Sequence, residues 1–210
     1  GLGATVANLA CLLAGKVPVN LNYTLGREQA ASCLRRAEID LLITAEGFRA
    51  KLLEKFPDFP WGDRRLDIAA ELQGLGKADV LPTFLAARLP PAWALSALLG
   101  LPRRGGDEEA ALLFTSGSSG EPKGVRLSHR NVLANLRQIE DADILPEHAV
   151  LLSSLPVFHS FGFTVGLWYP LTHPVGLVTL PSPLDAAGTV KAVREEKATV
   201  LVGTPTFLRP

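Results

Sequence analysis

The sequence predicts an α/β fold of largely parallel sheet layers flanked by helices, and three observations carry that expectation. Short apolar runs of strand length alternate with longer segments whose apolar residues recur at helical spacing. A hydrophobic fraction of 47% over 210 residues supplies enough apolar surface for one domain or two closely packed subdomains. Residues 175–180, 186–197 and 199–202 read as strand, helix and strand, an arrangement whose crossover is right-handed.

Taken in order, residues 4–14 are apolar on nearly every side and predict a buried helix, ended by Gly15. Residues 17–20 predict a short strand. Over residues 27–37, Ala30, Ala31, Leu34 and Ala37 recur at helical spacing with charges on the other face, and Leu41, Leu42 and Ile43 then form a compact strand. Residues 56–106 hold six prolines and six glycines among short hydrophobic pieces, which predicts a loop-rich connection with one short helix at residues 93–99. Order resumes with a strand at residues 111–114, a Gly/Ser loop, and a helix entered through Ser128 as N-cap with Val132, Leu133 and Leu136 on its apolar face. Residues 150–152 predict a further strand. The chain thus divides into an N-terminal α/β part with its loop-rich connection, residues 1–106, and a second α/β part, residues 107–210.

Composition narrows the partners. Basic and acidic residues balance at 21 each, so there is no electrostatic reason to expect nucleic acid or an anionic membrane. Residues 148–184 carry no Asp, Glu, Lys or Arg, but Pro156, Pro170, Pro174, Pro181 and Pro183 interrupt them, which favours buried strands and a short helix over a membrane span. Cys11 and Cys33 sit in apolar, helix-like surroundings and are expected as reduced thiols in a cytoplasmic setting. The chain has no methionine, opens directly in an apolar stretch without a preceding basic segment, and stops at Pro210 in what reads as structure. A signal peptide is therefore not expected, and a fragment of a longer protein is.

The most informative segment is Leu113-Phe114-Thr115-Ser116-Gly117-Ser118-Ser119-Gly120-Glu121-Pro122-Lys123-Gly124-Val125. Its glycines let the backbone approach a ligand closely, and successive N–H groups in such a loop form an anion-binding nest. Thr115, Ser116, Ser118 and Ser119 add hydroxyl donors, and Lys123 adds a point positive charge for phosphate. The loop is not a Walker A motif: Pro122 precedes the lysine and Gly124 follows it, where that motif needs Gly-Lys-Ser/Thr opening a helix. By composition alone a polar surface loop explains it equally well; the full spacing of hydroxyls, glycines, Pro122 and Lys123 favours a polyphosphate cradle.

This pattern resembles the signature loop of the adenylate-forming superfamily, which includes acyl-CoA synthetases, peptide-synthetase adenylation domains and luciferases. The resemblance implies a fragment of the large N-terminal domain of such an enzyme, with its C-terminal portion absent. It assigns Thr115, Ser116, Gly117, Ser118, Ser119, Gly120 and Lys123 to the β- and γ-phosphates of ATP, and Lys123 to catalysis. Residues 12–22 look like the family's early helix-to-strand motif. Leu155-Pro156-Val157-Phe158-His159-Ser160-Phe161-Gly162 looks like the segment lining the acyl pocket, and Gly203-Thr204-Pro205-Thr206 like a strand end bordering it. Phe158, His159, Phe161, Gly203 and Thr204 are the substrate-binding residues so implied. Phe163, Val165, Leu167 and Trp168 are further wall candidates, with a core role the better reading for most. His129, beside the cap, reads as structural, and no role is assigned to His148 or His173.

Amino-acid-activating relatives commonly place an aspartate where His159 stands, to hold the substrate ammonium. No carboxylate lies between His148 and Leu184, and a buried ammonium without a counter-charge is costly. An apolar tail is therefore expected, each buried methylene contributing roughly 0.8 kcal/mol. Within the family the resemblance runs to fatty-acid synthetases, in particular the acyl-carrier-protein synthetase half of bifunctional 2-acylglycerophosphoethanolamine acyltransferases; a long-chain acyl-CoA synthetase stays open.

The implied activity is an ATP- and Mg²⁺-dependent fatty acid ligase that forms acyl-AMP and passes the acyl group to acyl carrier protein or coenzyme A. An aryl- or other-acid CoA ligase, a non-catalytic nucleotide- or acyl-binding module, and a phosphotransferase releasing ADP are the alternatives. The family's adenine-binding segment, Mg²⁺-coordinating glutamate, ribose-binding aspartate and C-terminal catalytic lysine belong beyond Pro210, so this fragment is expected to be inactive alone and no metal ligand is assigned within it. A fused acyltransferase would bring the parent to the inner membrane face.

Overall fold

A computed structural model describes residues 1–88, 91–116, 121–180, 182 and 184–203, without the side chain of Ser116. The described chain is an α/β fold, as the alternation of apolar runs predicts. It forms two compact units: residues 2–104 with 116–124, and residues 105–115 with 125–210, the latter joined by Gly1.

The first unit opens with α1 (Leu2–Leu13), followed by the short strand β1 (Val19–Asn20). Gly15 ends the helix with φ +69°, a left-handed conformation that favours glycine, and Lys16 N–H donates to the Cys11 carbonyl at 2.8 Å. The expectation of a buried apolar helix is corrected: Asn8 is its one buried residue, while Leu2 and Leu13 are exposed. Burial of this amide is tolerated because Asn8 and Asn20 exchange reciprocal hydrogen bonds of 3.0 and 2.9 Å, with a further donation from Asn8 to the Ala4 carbonyl.

Next come α2 (Arg27–Arg36), β2 (Leu42–Thr44), α3 (Glu46–Lys55) and β3 (Arg65–Asp67). β2 and β3 pair in parallel, Ile43 opposite Leu66, so α3 is the crossover of a β-α-β unit. Its core gathers Ala30, Leu52 and Phe59, with Leu21, Tyr23, Leu25, Phe56 and Trp61 against them. The stretch expected to be loop-rich with one short helix at residues 93–99 holds that helix as α6 (Ala92–Leu98), and also holds β3, α4 (Ile68–Gly74) and α5 (Lys77–Arg88). Local chemistry explains the difference. Asp67 caps α4 by accepting from Ala69 and Ala70 N–H, and Pro91 stands at the N-cap of α6, where a missing N–H costs nothing. Pro82 is accommodated within α5, which has no buried residue.

β4 (Glu109–Ser116) and β5 (Pro122–Ser128), whose residues 109–115 and 125–128 belong to the second unit, are hydrogen-bonded neighbours joined by a connection too short for a parallel crossover. Arg126 Nε meets Glu109 Oε2 at 2.9 Å across this pair. Then α7 (His129–Asp141) begins as predicted, in a capping box: Ser128 Oγ accepts from Asn131 N–H and Asn131 Oδ1 from Ser128 N–H. Val132, Leu136 and Ile139 form its packed stripe. Leu133 lies about 100° round the helix from Val132 and is 59% exposed, which corrects its expected place on the apolar face.

The uncharged stretch forms β6 (Val150–Ser153), α8 (Ser160–Phe163), a π-helical turn (Thr164–Trp168), α9 (Tyr169–Thr172) and β7 (Gly176–Thr179), and α10 (Ala186–Glu195) and β8 (Val200–Val202) follow. The three strands are parallel in the order β7-β6-β8, so α10 crosses over β6 rather than joining adjacent strands. Leu151 and Leu152 are fully buried, as suits a central strand covered on both faces. No helix among the described residues is long and apolar enough to cross a membrane.

Candidate functional site

The motif carrying Thr115 and Lys123 is the connection of the β4-β5 pair, not a strand-to-helix turn. Thr115 is exposed near the end of β4, and Lys123 is exposed as the second residue of β5. Gly117, Ser118, Ser119 and Gly120, with the Ser116 side chain, lie outside the described residues. Pro122 fits the first position of a strand, where no N–H is owed to the ladder.

The downstream arm of this connection is tied to α2. Ser32, buried on that helix, donates from Oγ to Glu121 Oε2 at 3.2 Å, and Arg36 donates from Nη1 to the Pro122 carbonyl at 2.6 Å. Cys33 lies fully buried between them in sequence. Burial pushes its thiol up, Arg36 works against that shift, and Glu121 adds to it. Neither Ser32 nor Arg36 was singled out from sequence: a basic residue in the last turn of a helix reads as a partner for the helix dipole and carries no pointer to a distant loop.

The second set of predicted residues gathers at one end of the parallel sheet. Ser153 pairs with Thr179 and with Val202, so the C-terminal ends of β6, β7 and β8 coincide. The Leu155–Gly162 segment leaves β6 there, and Gly203 leaves β8 at the same end; Thr204 lies outside the described residues. Open α/β sheets bind ligands beyond the carboxyl ends of their strands.

Packing shapes the segment closely. His159 N–H donates to the Pro156 carbonyl at 3.1 Å, and Phe163 N–H to the His159 carbonyl at 2.8 Å. A Cβ on Gly162 would fall 2.2 Å from the Pro156 carbonyl oxygen, so only glycine fits this turn. Phe158 is buried, with its ring centroid 4.6 Å from that of His159, whereas His159 is exposed and Phe161 is 45% exposed. Phe163 and Leu167 are each 1% exposed in the core with Ala111 and Leu113, and Val165 and Trp168 pack against core clusters, so these four are structural. Ser153 Oγ is buried without a hydrogen-bond partner among the described residues and lies 2.9 Å from where a Cβ on Gly166 would stand, in the π-helical turn. π-Helical turns recur at functional sites, and sequence periodicity carries no signal for them.

Two further histidines lie apart from these segments. The main-chain N–H of His129 donates to the Glu108 carbonyl at 3.0 Å, and its ring Nε2 is buried with no hydrogen-bond partner among the described residues. His173 stacks on Tyr169 at 4.1 Å, shares a 2.8 Å contact between Nδ1 and Thr172 Oγ1, and faces Glu140 at 3.8 Å through Nε2.

The donor chemistry suits a magnesium polyphosphate. Thr115 offers a hydroxyl and Lys123 an ammonium, both open to solvent. Among the described residues no group of three or more His, Cys, Asp or Glu is placed to hold a metal.

A sequence profile described as AMP-binding enzyme matches residues 2–210. An acyl-CoA ligase of Ajellomyces capsulatus is 38% identical over 96 residues, 46% of this chain and 16% of that protein. A feruloyl-CoA synthase of Amycolatopsis is 32% identical over 203 residues, 94% of this chain and 35% of that protein. Among solved structures, the o-succinylbenzoate CoA synthetase of Bacillus subtilis with its acyl-adenylate intermediate aligns with a TM-score of 0.74 at 19% identity, over 99% of this chain and 48% of that one. The same enzyme with ATP and magnesium ion gives 0.72 at 20% identity, over 99% and 38%. The chain thus spans less than half the length of each of these proteins.

Proposed function

Because the chain belongs to the AMP-binding enzyme family, we propose that it is part of an AMP-forming acid–thiol ligase that activates a fatty acid. The observation that carries this reading is the Thr115–Lys123 motif at the β4-β5 connection, with Lys123 exposed directly after an arm anchored to α2. In this scheme a carboxylate oxygen attacks the α-phosphorus of ATP, the bond to the bridging oxygen breaks, and pyrophosphate leaves. A thiolate of acyl carrier protein or coenzyme A then attacks the acyl carbon and AMP departs.

The chain's own contribution is positioning and charge. Lys123 and the Thr115 hydroxyl hold the departing pyrophosphate, with Ser116, Gly117, Ser118, Ser119 and Gly120 completing the cradle; charge placed in advance is what phosphoryl-type transfer demands. Mg²⁺, when bound, neutralises phosphate charge. Phe158, His159, Phe161, Gly203 and Thr204 border the acid, and the lack of any carboxylate in residues 148–184 favours an uncharged tail over an ammonium. The acceptor we favour is acyl carrier protein, in a parent that also carries an acyltransferase and works at the inner membrane face. The free thiols of Cys11 and Cys33 suit a reducing cytoplasm. Residues 1–106 and 107–210 serve as the two α/β parts of the domain, and the isolated chain, lacking the remainder of the enzyme, does not turn over.

A second reading, an aryl-acid CoA ligase, is favoured by the 94% coverage in the match to feruloyl-CoA synthase. Acid-dependent ATP–pyrophosphate exchange on the full-length protein, with palmitate, laurate, ferulate and mixed amino acids, separates these. Exchange with the fatty acids alone is the expected result. Exchange with ferulate alone keeps the family and replaces the substrate, and exchange with none of these acids overturns fatty-acid activation. Lys123→Ala is expected to lower adenylation at least about 100-fold, in the range found for groups that stabilise developing charge. Unchanged turnover would remove Lys123 from the mechanism.

A further inference from the structure

The reaction scheme makes no use of α2, yet α2 holds the backbone from which Lys123 departs. Glu121 and Pro122 immediately precede that lysine, and their partners Ser32 and Arg36 lie 89 and 86 residues earlier. Ser32 and Arg36 are four apart on one helix and so share a face, with buried Ala30 and Cys33 anchoring the helix in its core. Pro122 is buried and has no N–H, so its carbonyl is its only main-chain hydrogen-bonding group. That carbonyl belongs to the same planar peptide unit as the Lys123 nitrogen. The donation from Arg36 therefore fixes the orientation of the peptide plane that leads into Lys123. It is a charge-assisted bond from a planar guanidinium.

We propose that Arg36 and Ser32 are positioning residues for the phosphate loop: α2 pre-orients the Glu121–Lys123 arm, so that binding polyphosphate does not have to order it. The proposal rests on the adenylate-forming reading of the loop. Its physical gain is preorganisation, the conformational cost of the arm being met during folding instead of at binding. A staple that served fold stability alone would share this geometry but leave nucleotide affinity untouched.

The test uses the full-length enzyme carrying Arg36→Ala, Arg36→Lys or Ser32→Ala. ATP affinity is measured by calorimetry without acid, and KM and kcat are measured for acyl-AMP formation. Arg36→Ala is expected to weaken ATP binding and raise KM for ATP about tenfold, the loss of one charge-assisted hydrogen bond, with kcat within about twofold. KM for the acid is expected to stay constant. Arg36→Lys is expected to recover part of the ATP affinity, since an ammonium donates to the same carbonyl. Unchanged ATP affinity in folded Arg36→Ala overturns the proposal. So does a fall in kcat that tracks the folded fraction by circular dichroism while KM for ATP holds. If the wild type binds ATP but forms no acyl-AMP with any acid, the ligase reading fails, and the proposal is decided by the calorimetry alone. A wild type that binds no ATP overturns both.

Discussion

The two segments that carry the candidate site are held by opposite means. The Pro156–Phe163 segment is fixed by packing at its ends: Phe158 and Phe163 are buried, and Gly162 presses against a backbone carbonyl. The Glu121–Lys123 arm is fixed by two polar bonds from a helix far away in sequence, and its own surface is largely open. Close packing resists small volume changes with large energies, whereas a hydrogen bond near solvent is worth little to stability but much to orientation. Substitutions in the first segment should therefore register as lost stability, and those in the second as lost ligand affinity.

The largest effect expected is for Phe163→Ala, which empties a buried aromatic site and should cost about 3–5 kcal/mol in denaturant unfolding. A cost under about 1 kcal/mol would show that the Pro156–Phe163 segment is not packed as tightly as the contrast requires. Gly162→Ala comes next, at about 1–3 kcal/mol, because the new methyl meets the Pro156 carbonyl oxygen and the backbone must shift. Its thermal midpoint should fall accordingly; an unchanged midpoint would mean the turn is pliable. Ser153→Ala sharpens the comparison by its sign. Removing a buried hydroxyl that has no partner among the described residues should leave the protein as stable or more stable by up to about 1 kcal/mol. In the arm, Ser32→Ala should move stability by less than about 1 kcal/mol. The smallest and most local effect concerns Cys33: burial raises its thiol, so the thiolate is scarce at neutral pH and alkylation should be slow until the pH approaches that raised value. Rapid labelling at neutral pH in the folded protein would show that the α2 contact opens.

Much of this molecule is legible locally. The Ser128 cap, the alternation of strands and helices, and the glycine that ends α1 each depend on a few adjacent residues, and structure and sequence agree on them. Of the helices in residues 68–98, α6 matches the short helix expected at residues 93–99, while α4 and α5 escaped because proline and glycine counts register as loop, although Asp67 is a helix-start signal when read by position. β5 escaped because its alternation rests on two apolar residues alone, Val125 and Leu127, beside Lys123, Gly124 and Arg126. Of the candidate site, the loop motif and the Leu155–Gly162 segment stand out in the sequence because chemistry requires particular residue types at short spacing.

What the sequence by itself determined is therefore the local grammar: which stretches turn, cap, cross or carry hydroxyls, glycines and a lysine at short, fixed spacing. Only the tertiary structure decided that β6 is the central strand between β7 and β8, that Asn8 rather than a leucine is the buried residue of α1, and that Ser32 and Arg36 meet Glu121 and Pro122. Local geometry repeats with a period that residue types reveal. Pairings across 86 or 89 residues depend on loop closure and on the packing of everything between, which leaves no periodic trace in the chain.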